Sequence, residues 1–498
     1  MRAEACLLLC LLGGTFSFHE AHAQQGLNNR WSLGYASYLG PPWGNTDIEF
    51  LSGTREISVH AYEIGYHRTA ASIAKEDGTL EITTNGAFLA DRNGDTLSNG
   101  TGLAPSAYTT TYADGLVLIQ GALIIPKPNA PSIYYLFHCT VDDQVSGTAQ
   151  FLYLTTIDMS LNGGLGGVVT KNEVLLNASQ NVGKITAVRH ANGRDWWVFN
   201  HRANTNVFSR YLVTPAGVQL DGTQAIGINR PPDNGQVCFS PDGSKFAYYW
   251  GIGDLEVFHF DRCTGLFVDP VFIGIDDTNA DGGLAFSPNS RYLYVSSVLD
   301  VYQYDTEAAD IGASMVHVGV WDGFYSPQPP FAAYFVVTQV APDGKIYIST
   351  GNGTFHVHVI NAPDEAGFAC DLVQHGVELT AYYSNGLPNH PNYHLGPLDG
   401  TVCDSLGITN GVGEFERAAS VNVFPNPSSG AFSLSYAAQP NAGWLEMYNA
   451  AGQLVLREKL PAWSTVHSVQ LSNAPAGMHQ CRLQWGSRTT SVRVILQP

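Results

Sequence analysis

The chain has 498 residues and a formal net charge of −19, which disfavours nucleic acid and anionic membrane surfaces as partners. Only 13% of its residues are charged, well under the roughly 25% of ordinary globular domains. Its 52 Gly, 24 Tyr and 23 Phe suit many short strands joined by tight turns, with aromatic rings filling the core. Few segments show helical periodicity, so the expected class is all-β.

At the N-terminus Arg2 precedes a short apolar run, Leu7–Leu12, and Ala21-His22-Ala23 forms a small-x-small site. This reads as a signal peptide over residues 1–23, cleaved between Ala23 and Gln24. Glu4 is unusual in a basic leader. Cys10 suggests a lipoprotein, but Leu9 is too large for a lipobox and too little apolar sequence precedes it. No other run approaches 18 apolar residues, so no transmembrane segment is expected.

The middle of the chain repeats. Val237-Cys-Phe-Ser-Pro241-Asp242-Gly243 recurs as Leu284-Ala-Phe-Ser-Pro288-Asn289-Ser290 and as Gln339-Val-Ala-Pro342-Asp343-Gly344, each followed by a second strand-like run. Weaker copies surround Asn192-Gly193 and Asp77-Gly78. Proline presets the first turn angle, and Gly or Asn tolerates the left-handed one. The clear copies lie ~50 residues apart, close to the blade period of a propeller. Two further runs follow each, such as Leu255–Phe260 and Leu266–Phe272, so each repeat supplies four strands. The predicted architecture is a β-propeller over residues 24–403 with about seven four-stranded blades, one of them shared between the two ends of the domain. A β-solenoid or tandem sandwiches are the alternatives.

Outside the leader there are six cysteines: Cys139, Cys238, Cys263, Cys370, Cys403 and Cys481. Export permits disulfides, and no spacing among them reads as a zinc site. Cys370 and Cys403 bracket a segment near the end of the large domain and are the expected pair. Cys238 with Cys263 is a weaker proposal.

Several segments could carry a site. Asp277-Thr-Asn279-Ala-Asp281-Gly282 matches the first half of a calcium loop, with oxygen ligands at alternate positions, but Pro288 stands where the closing Glu belongs. Calcium is thus the one candidate cofactor, against a plain acidic turn. Asp91-Arg-Asn93-Gly94-Asp95 is read as a hairpin turn. His356 and His358 alternate on one strand and could reach a metal together, with His390 and His394 near in sequence. Trp196-Trp197 and Tyr248-Tyr249-Trp250 could form a glycan or peptide platform, or pack between blades. No nucleophile elbow, HExxH, phosphate loop or dinucleotide-binding glycine pattern occurs.

A linker over residues 404–420 holds Gly407, Asn410, Gly411 and Gly413. A small immunoglobulin-like β-sandwich is expected over 421–498. Phe432, Leu434 and Tyr436 alternate as in a half-buried strand. Asn449-Ala-Ala-Gly452 reads as a hairpin turn. Pro425 and Pro427 remove two donors, which places the first strand after them. Pro425-Asn426-Pro427, Gly430, Tyr448-Asn-Ala-Ala-Gly452-Gln-Leu-Val, Pro475-Ala-Gly477-Met and the closing Ser491–Ile495 strand resemble the type A C-terminal sorting domain of type IX secretion cargo. His479-Gln480 departs from the family, which favours Tyr there. The resemblance implies passage across the outer membrane of a Gram-negative bacterium, with release or anchoring at the cell surface, and contact with the secretion machinery.

The Ser-Pro-Asp-Gly strand pairs resemble YVTN and WD-repeat-like propellers. Gly121–Pro128, Asp158–Gly166 and Asn389–Pro397 resemble an uncharacterised family of secreted propellers carrying this tail. That resemblance implies fold and location, not chemistry. The expected function is a non-catalytic binding, adhesion or scaffold protein with a glycan or protein ligand. A propeller hydrolase or lyase acting on glycans or lactones is the alternative. Carboxylates or histidines converging on the channel mouth would favour the enzyme, and a mouth of backbone and apolar groups would favour the binder.

Overall fold

The computed structural model describes residues 26–404 and 421–497, apart from 51–54, 61, 113–114, 143–147, 278, 280, 328–329 and 472–474. The leader, its Ala23–Gln24 cleavage site and nearly all of the linker lie outside the described residues.

Residues 30–383 form seven antiparallel sheets, each built from strands consecutive in the chain. Blades 1 and 2, over 30–60 and 71–91, have three strands each. Blades 3 to 7, over 122–180, 186–230, 237–274, 283–320 and 338–383, have four. The inner strands are Arg30–Tyr35, Ala71–Ala74, Ala122–Pro126, Thr186–Arg189, Val237–Phe239, Gly283–Phe286 and Thr338–Val340. The Pro-Asp-Gly and Pro-Asn-Ser turns lead from inner to second strand in blades 5, 6 and 7.

The core lies between blades. Phe199, Phe208 and Trp197 of blade 4 meet Phe246, Phe258 and Phe267 of blade 5. Leu255 and Val257 of blade 5 meet Leu284, Leu293 and Val295 of blade 6. Trp31, Leu33 and Ile48 of blade 1 meet Tyr347, Val357 and Val377 of blade 7, closing the ring. Among the described residues no blade is shared between the two ends, contrary to expectation. Face-to-face burial joins blades 7 and 1, with one parallel bridge between Trp43 and Tyr382.

A strap follows the last blade. Residues 385–404 turn back into the channel and bond to several blades, 3 and 5 among them. The Asn389 side chain donates to the carbonyls of Ala122 (3.0 Å) and Ile185 (2.9 Å). Asn392 donates to Pro241 O (2.7 Å) and Tyr393 to Ile124 O (2.8 Å). Gln339 reaches back to His390 O (3.2 Å). The strap ends at Cys403, bonded to Cys263 in the hairpin turn of blade 5.

This corrects both cysteine pairings expected from sequence. Cys370 is a buried free thiol in the core between blades 6 and 7, and Cys238 is also free. Crossing the channel carries Cys403 away from its sequence neighbours and leaves its Cα 5.6 Å from that of Cys263.

Residues 421–497 form a sandwich of a three-stranded and a four-stranded sheet. Phe432, Leu434, Leu445, Met447, Leu483 and Val494 fill its own core. A short strand, Asn422–Phe424, precedes the prolines, where none was expected. It sits at a sheet edge, where pairing can end at the donor-less Pro425. Asn426 pins the last strand, donating to Arg493 O (3.0 Å) and accepting from Ile495 N (2.9 Å). Gly430 has φ 113°, and a Cβ there would lie 2.9 Å from Leu471 O. Gly452 closes the 449–453 turn and Gly477 opens the strand Gly477–Trp485.

Non-reducing peptide mapping should recover Cys263 joined to Cys403, with Cys370 and Cys238 as free thiols. The chain-entropy relation gives a loop of this length ~4–5 kcal/mol of stabilisation. Cys403→Ser should therefore lower the melting temperature by several degrees, and an unchanged melt would show that the strap holds without it.

Candidate functional site

The channel is not an open bore. Gln120 spans it from the edge of blade 3 to blade 5, donating to Val237 O and accepting from Val237 N, both at 2.9 Å. Gln236 does the same between blades 5, 6 and 7. It donates to Thr338 O (2.9 Å) and accepts from Leu284 N (3.2 Å) and Thr338 N (3.1 Å). These amides satisfy inner-strand groups that a bare channel would leave unpaired.

Beneath them, at the turn end of the ring, lies a chamber of about 100 Å³. Its walls include the repeat prolines Pro241, Pro288 and Pro342, with Phe239, Phe286 and Val340. The strap supplies His390, Pro391, Asn392 and His394. Ala462 and Trp463 of the C-terminal sandwich complete it. The mouth thus combines backbone, proline and apolar side chains with two strap histidines, His390 and His394.

His390 is the most informative of these. Its Nε2 lies 2.9 Å from Ser72 O. A carbonyl can only accept, so Nε2 carries the proton and Nδ1 is a bare acceptor. Nδ1 is buried and has no partner. Burial pulls the imidazole down to about 4, so the ring is neutral at pH 7. His394 lies 3.3 Å from Asn28 Oδ1. Cys238 also lines the chamber, but burial pushes its thiol far up, which denies it thiolate chemistry.

The opposite end of the ring is charged, and its charges are paired. Lys184 is buried against Asp233 and also donates to Gly235 O (2.9 Å). Arg230 holds Asp254 and Glu256 and lies over the Tyr248 ring at 4.7 Å. Arg68 pairs with Asp281 at 2.8 Å. Burial pushes the carboxyls of Asp233 and Asp281 up against the pull of these cations. Such pairs become costly when one partner is removed, which reads as structure.

The expected site residues fall as follows. Asp281 is held by Arg68, and Asp277 accepts from the Ser297 hydroxyl and from Asn279 N. Asn279 turns its amide to Ser297 O. The loop's oxygens thus face protein donors, which does not fit a calcium cage. Among the described residues no three His, Cys, Asp or Glu side chains gather as a metal site. Asp91 caps a tight turn, accepting from Asn93 N and Asp95 N. His356 and His358 sit on the third strand of blade 7, away from the channel. His358 is committed to Tyr334 O (3.0 Å) and His375 N (2.9 Å). Trp196, Tyr248 and Tyr249 are fully buried between blades, and Trp197 donates to Arg262 O. They form no platform. Sequence reasoning missed Gln120, Gln236 and Trp463. Each is one residue with no motif, and only the ring closure gives it a role.

Four buried histidines, His138, His201, His358 and His390, and the half-buried His67 titrate near 3 to 4 because desolvation disfavours the imidazolium. The unfolded chain takes those protons near pH 6.5. Their stabilisation is therefore complete above about pH 6.5 and is lost as pH falls towards 4. Each contributes a slope of about 1.4 kcal/mol per pH unit in that window. His390→Gln keeps a donor for Ser72 O without the titration. Its stability should fall less steeply than wild type between pH 6.5 and 4.5 in thermal melts. Identical slopes would contradict a neutral His390.

Residues 422–497 match the family model of the secretion system C-terminal sorting domain. A search of curated proteins gives no match. Similar solved structures include a Lactobacillus plantarum protein, at 12% identity over 73% of this chain and 99% of that one, with TM-score 0.43. Another is a putative 6-phosphogluconolactonase from Bacteroides fragilis, at 12% identity over 74% and 99%, also 0.43. The Dos1 propeller gives 10% identity over 73% and 87%, with TM-score 0.40. At these scores the likenesses carry no argument about function. With its closed sandwich, pinned terminal strand and family match over 422–497, the chain is a type IX secretion cargo: a β-propeller bearing a C-terminal sorting domain that addresses it to the cell surface or the extracellular space.

Proposed function

We propose that the propeller is a non-catalytic binding module delivered outside the cell, and that its ligand site is the chamber at the turn end of the channel. One observation carries this reading: the Gln120 and Gln236 amides on the channel are spent bonding blade to blade, while the chamber beside them is lined by Pro241, Pro288, Pro342, Phe239, Phe286 and Trp463 together with a few polar strap residues. Apolar concave sites with a few fixed polar groups are the usual form of a ligand pocket. A protein ligand suits these walls. The sorting domain supplies the address and the contact with the secretion machinery.

The hydrolase or lyase alternative needs a base or nucleophile at the chamber. Burial pulls the His390 imidazole down to about 4, which makes its bare Nδ1 a weak base, and the Cys238 thiol is held protonated.

Peptide-display selection against the full chain should yield binders that lose affinity at least tenfold on Val340→Arg, which places a charge in the chamber wall. Panels of lactones and glycans should not be turned over. Turnover of any of them that disappears with His390→Gln would overturn the binding reading.

The propeller and the sandwich have separate cores, so deleting residues 421–498 should leave a folded propeller that stays in the periplasm. Fractionation tests both halves. A truncated chain found outside the cell would contradict the sorting role, and loss of folding would contradict the domain boundary.

A further inference from the structure

The sandwich is seated on the propeller, and at the chamber. Thr465 N donates to Pro342 O at 2.9 Å. A Cβ on Gly344 would lie 2.5 Å from Pro461, so the turn packs directly on the blade 7 rim. Lys459 pairs with Glu365 at 3.0 Å. Between these contacts, Trp463 packs against the cluster that holds Val188, Phe246 and Leu395 and closes the chamber.

Two further features mark this turn. Trp463 has φ 60°, a left-handed conformation that is an outlier for a bulky residue. Such strain persists where the surroundings over-determine it, often at ligand clamps. The turn is held from below by Ser464, whose hydroxyl bonds Pro461 O (2.7 Å) and meets the Tyr436 hydroxyl (2.9 Å). The charges are also complementary. The sandwich carries Arg457, Lys459, Arg482, Arg488 and Arg493 against Glu446 and Glu458, in a chain of net charge −19. A basic module is drawn to an acidic ring.

We propose that the turn Pro461–Thr465 is an internal ligand of the chamber. Its indole occupies the place of an aromatic side chain at the tip of a partner protein's loop, and a partner gains the chamber only when the sorting domain moves off. This rests on the reading of the chamber as the binding site. Prolines stack on a ring from the rim, and the bare Nδ1 of His390 offers an acceptor to an incoming N–H. The state of the tail thereby sets the affinity of the propeller, because a ligand sees only the fraction of molecules whose chamber is free.

The test uses the full chain, with N-acetyl-tryptophanamide as probe. Trp463→Gly removes the ring and relieves the backbone, since glycine accepts φ 60°. The probe should bind this variant with a millimolar-range Kd and raise its melting temperature by a degree or more. Wild type should bind at least tenfold more weakly. Lys459→Glu leaves turn and chamber intact, sets like charges beside Glu365, and should increase probe binding in the same direction. Val340→Arg in the Trp463→Gly background should abolish it. Equal binding to wild type and Trp463→Gly, by the probe or by a selected peptide, would overturn the gate and leave the binding site standing. A folded Trp463→Gly chain that binds neither would overturn both.

Discussion

Hydrogen bonding of residues 385–404 across the channel is the contact on which the rest of the molecule depends. Each blade buries its faces only against its two neighbours, so packing alone specifies a closed ring but says nothing about its middle. There the inner strands present peptide groups that no neighbouring strand can satisfy. Asn389 meets two such carbonyls, and Asn392 and Tyr393 each meet another, so that blades 3, 4 and 5 are tied together. Each such bond is worth about 1 kcal/mol net, but leaving a buried group unmet costs ~1–3 kcal/mol. The strap therefore does more by preventing unmet groups than by adding attraction. Arg262 extends the same role to the rim, donating to Arg189 O and His190 O.

The site follows from this arrangement. Gln120 and Gln236 close the channel halfway, and the strap supplies one side of what remains. The space left lies towards the repeat turns. Its proline rim is a by-product of the turn chemistry, because the residue that presets φ at the first turn position is also rigid and apolar. The charged end of the ring behaves differently. Its ions are buried in pairs, so they are held in place and are not offered outward.

The legible part of the sequence was local. Turn residues at ~50-residue intervals revealed blades 5 to 7, and the spacing of Pro425, Gly430, Gly452 and Gly477 revealed the sandwich. Whatever depended on chain crossing was hidden. Cys370 lay close in sequence to Cys403 and looked like its partner, but the strap carried Cys403 to the far wall. His356 and His358 alternated as expected of a strand, yet that strand is third in its blade and never reaches the channel. The Asp277–Asp281 loop had the composition of a cation site, but Arg68, more than 200 residues away, claims one of its carboxylates. Trp463 carried no signal at all, since its role exists only where two domains meet.

The position of the strap along the chain has a consequence for biogenesis. Residues 385–404 come after every blade, so they are the last part of the propeller to be made. Until they arrive, the inner strands have only the Gln120 and Gln236 amides as cross-channel partners. Assembly from the N-terminus thus proceeds through a ring that the strap has not yet locked. The lock is delivered immediately ahead of the segment that bears the outer-membrane address, so a chain whose address has emerged has also received everything it needs to become rigid.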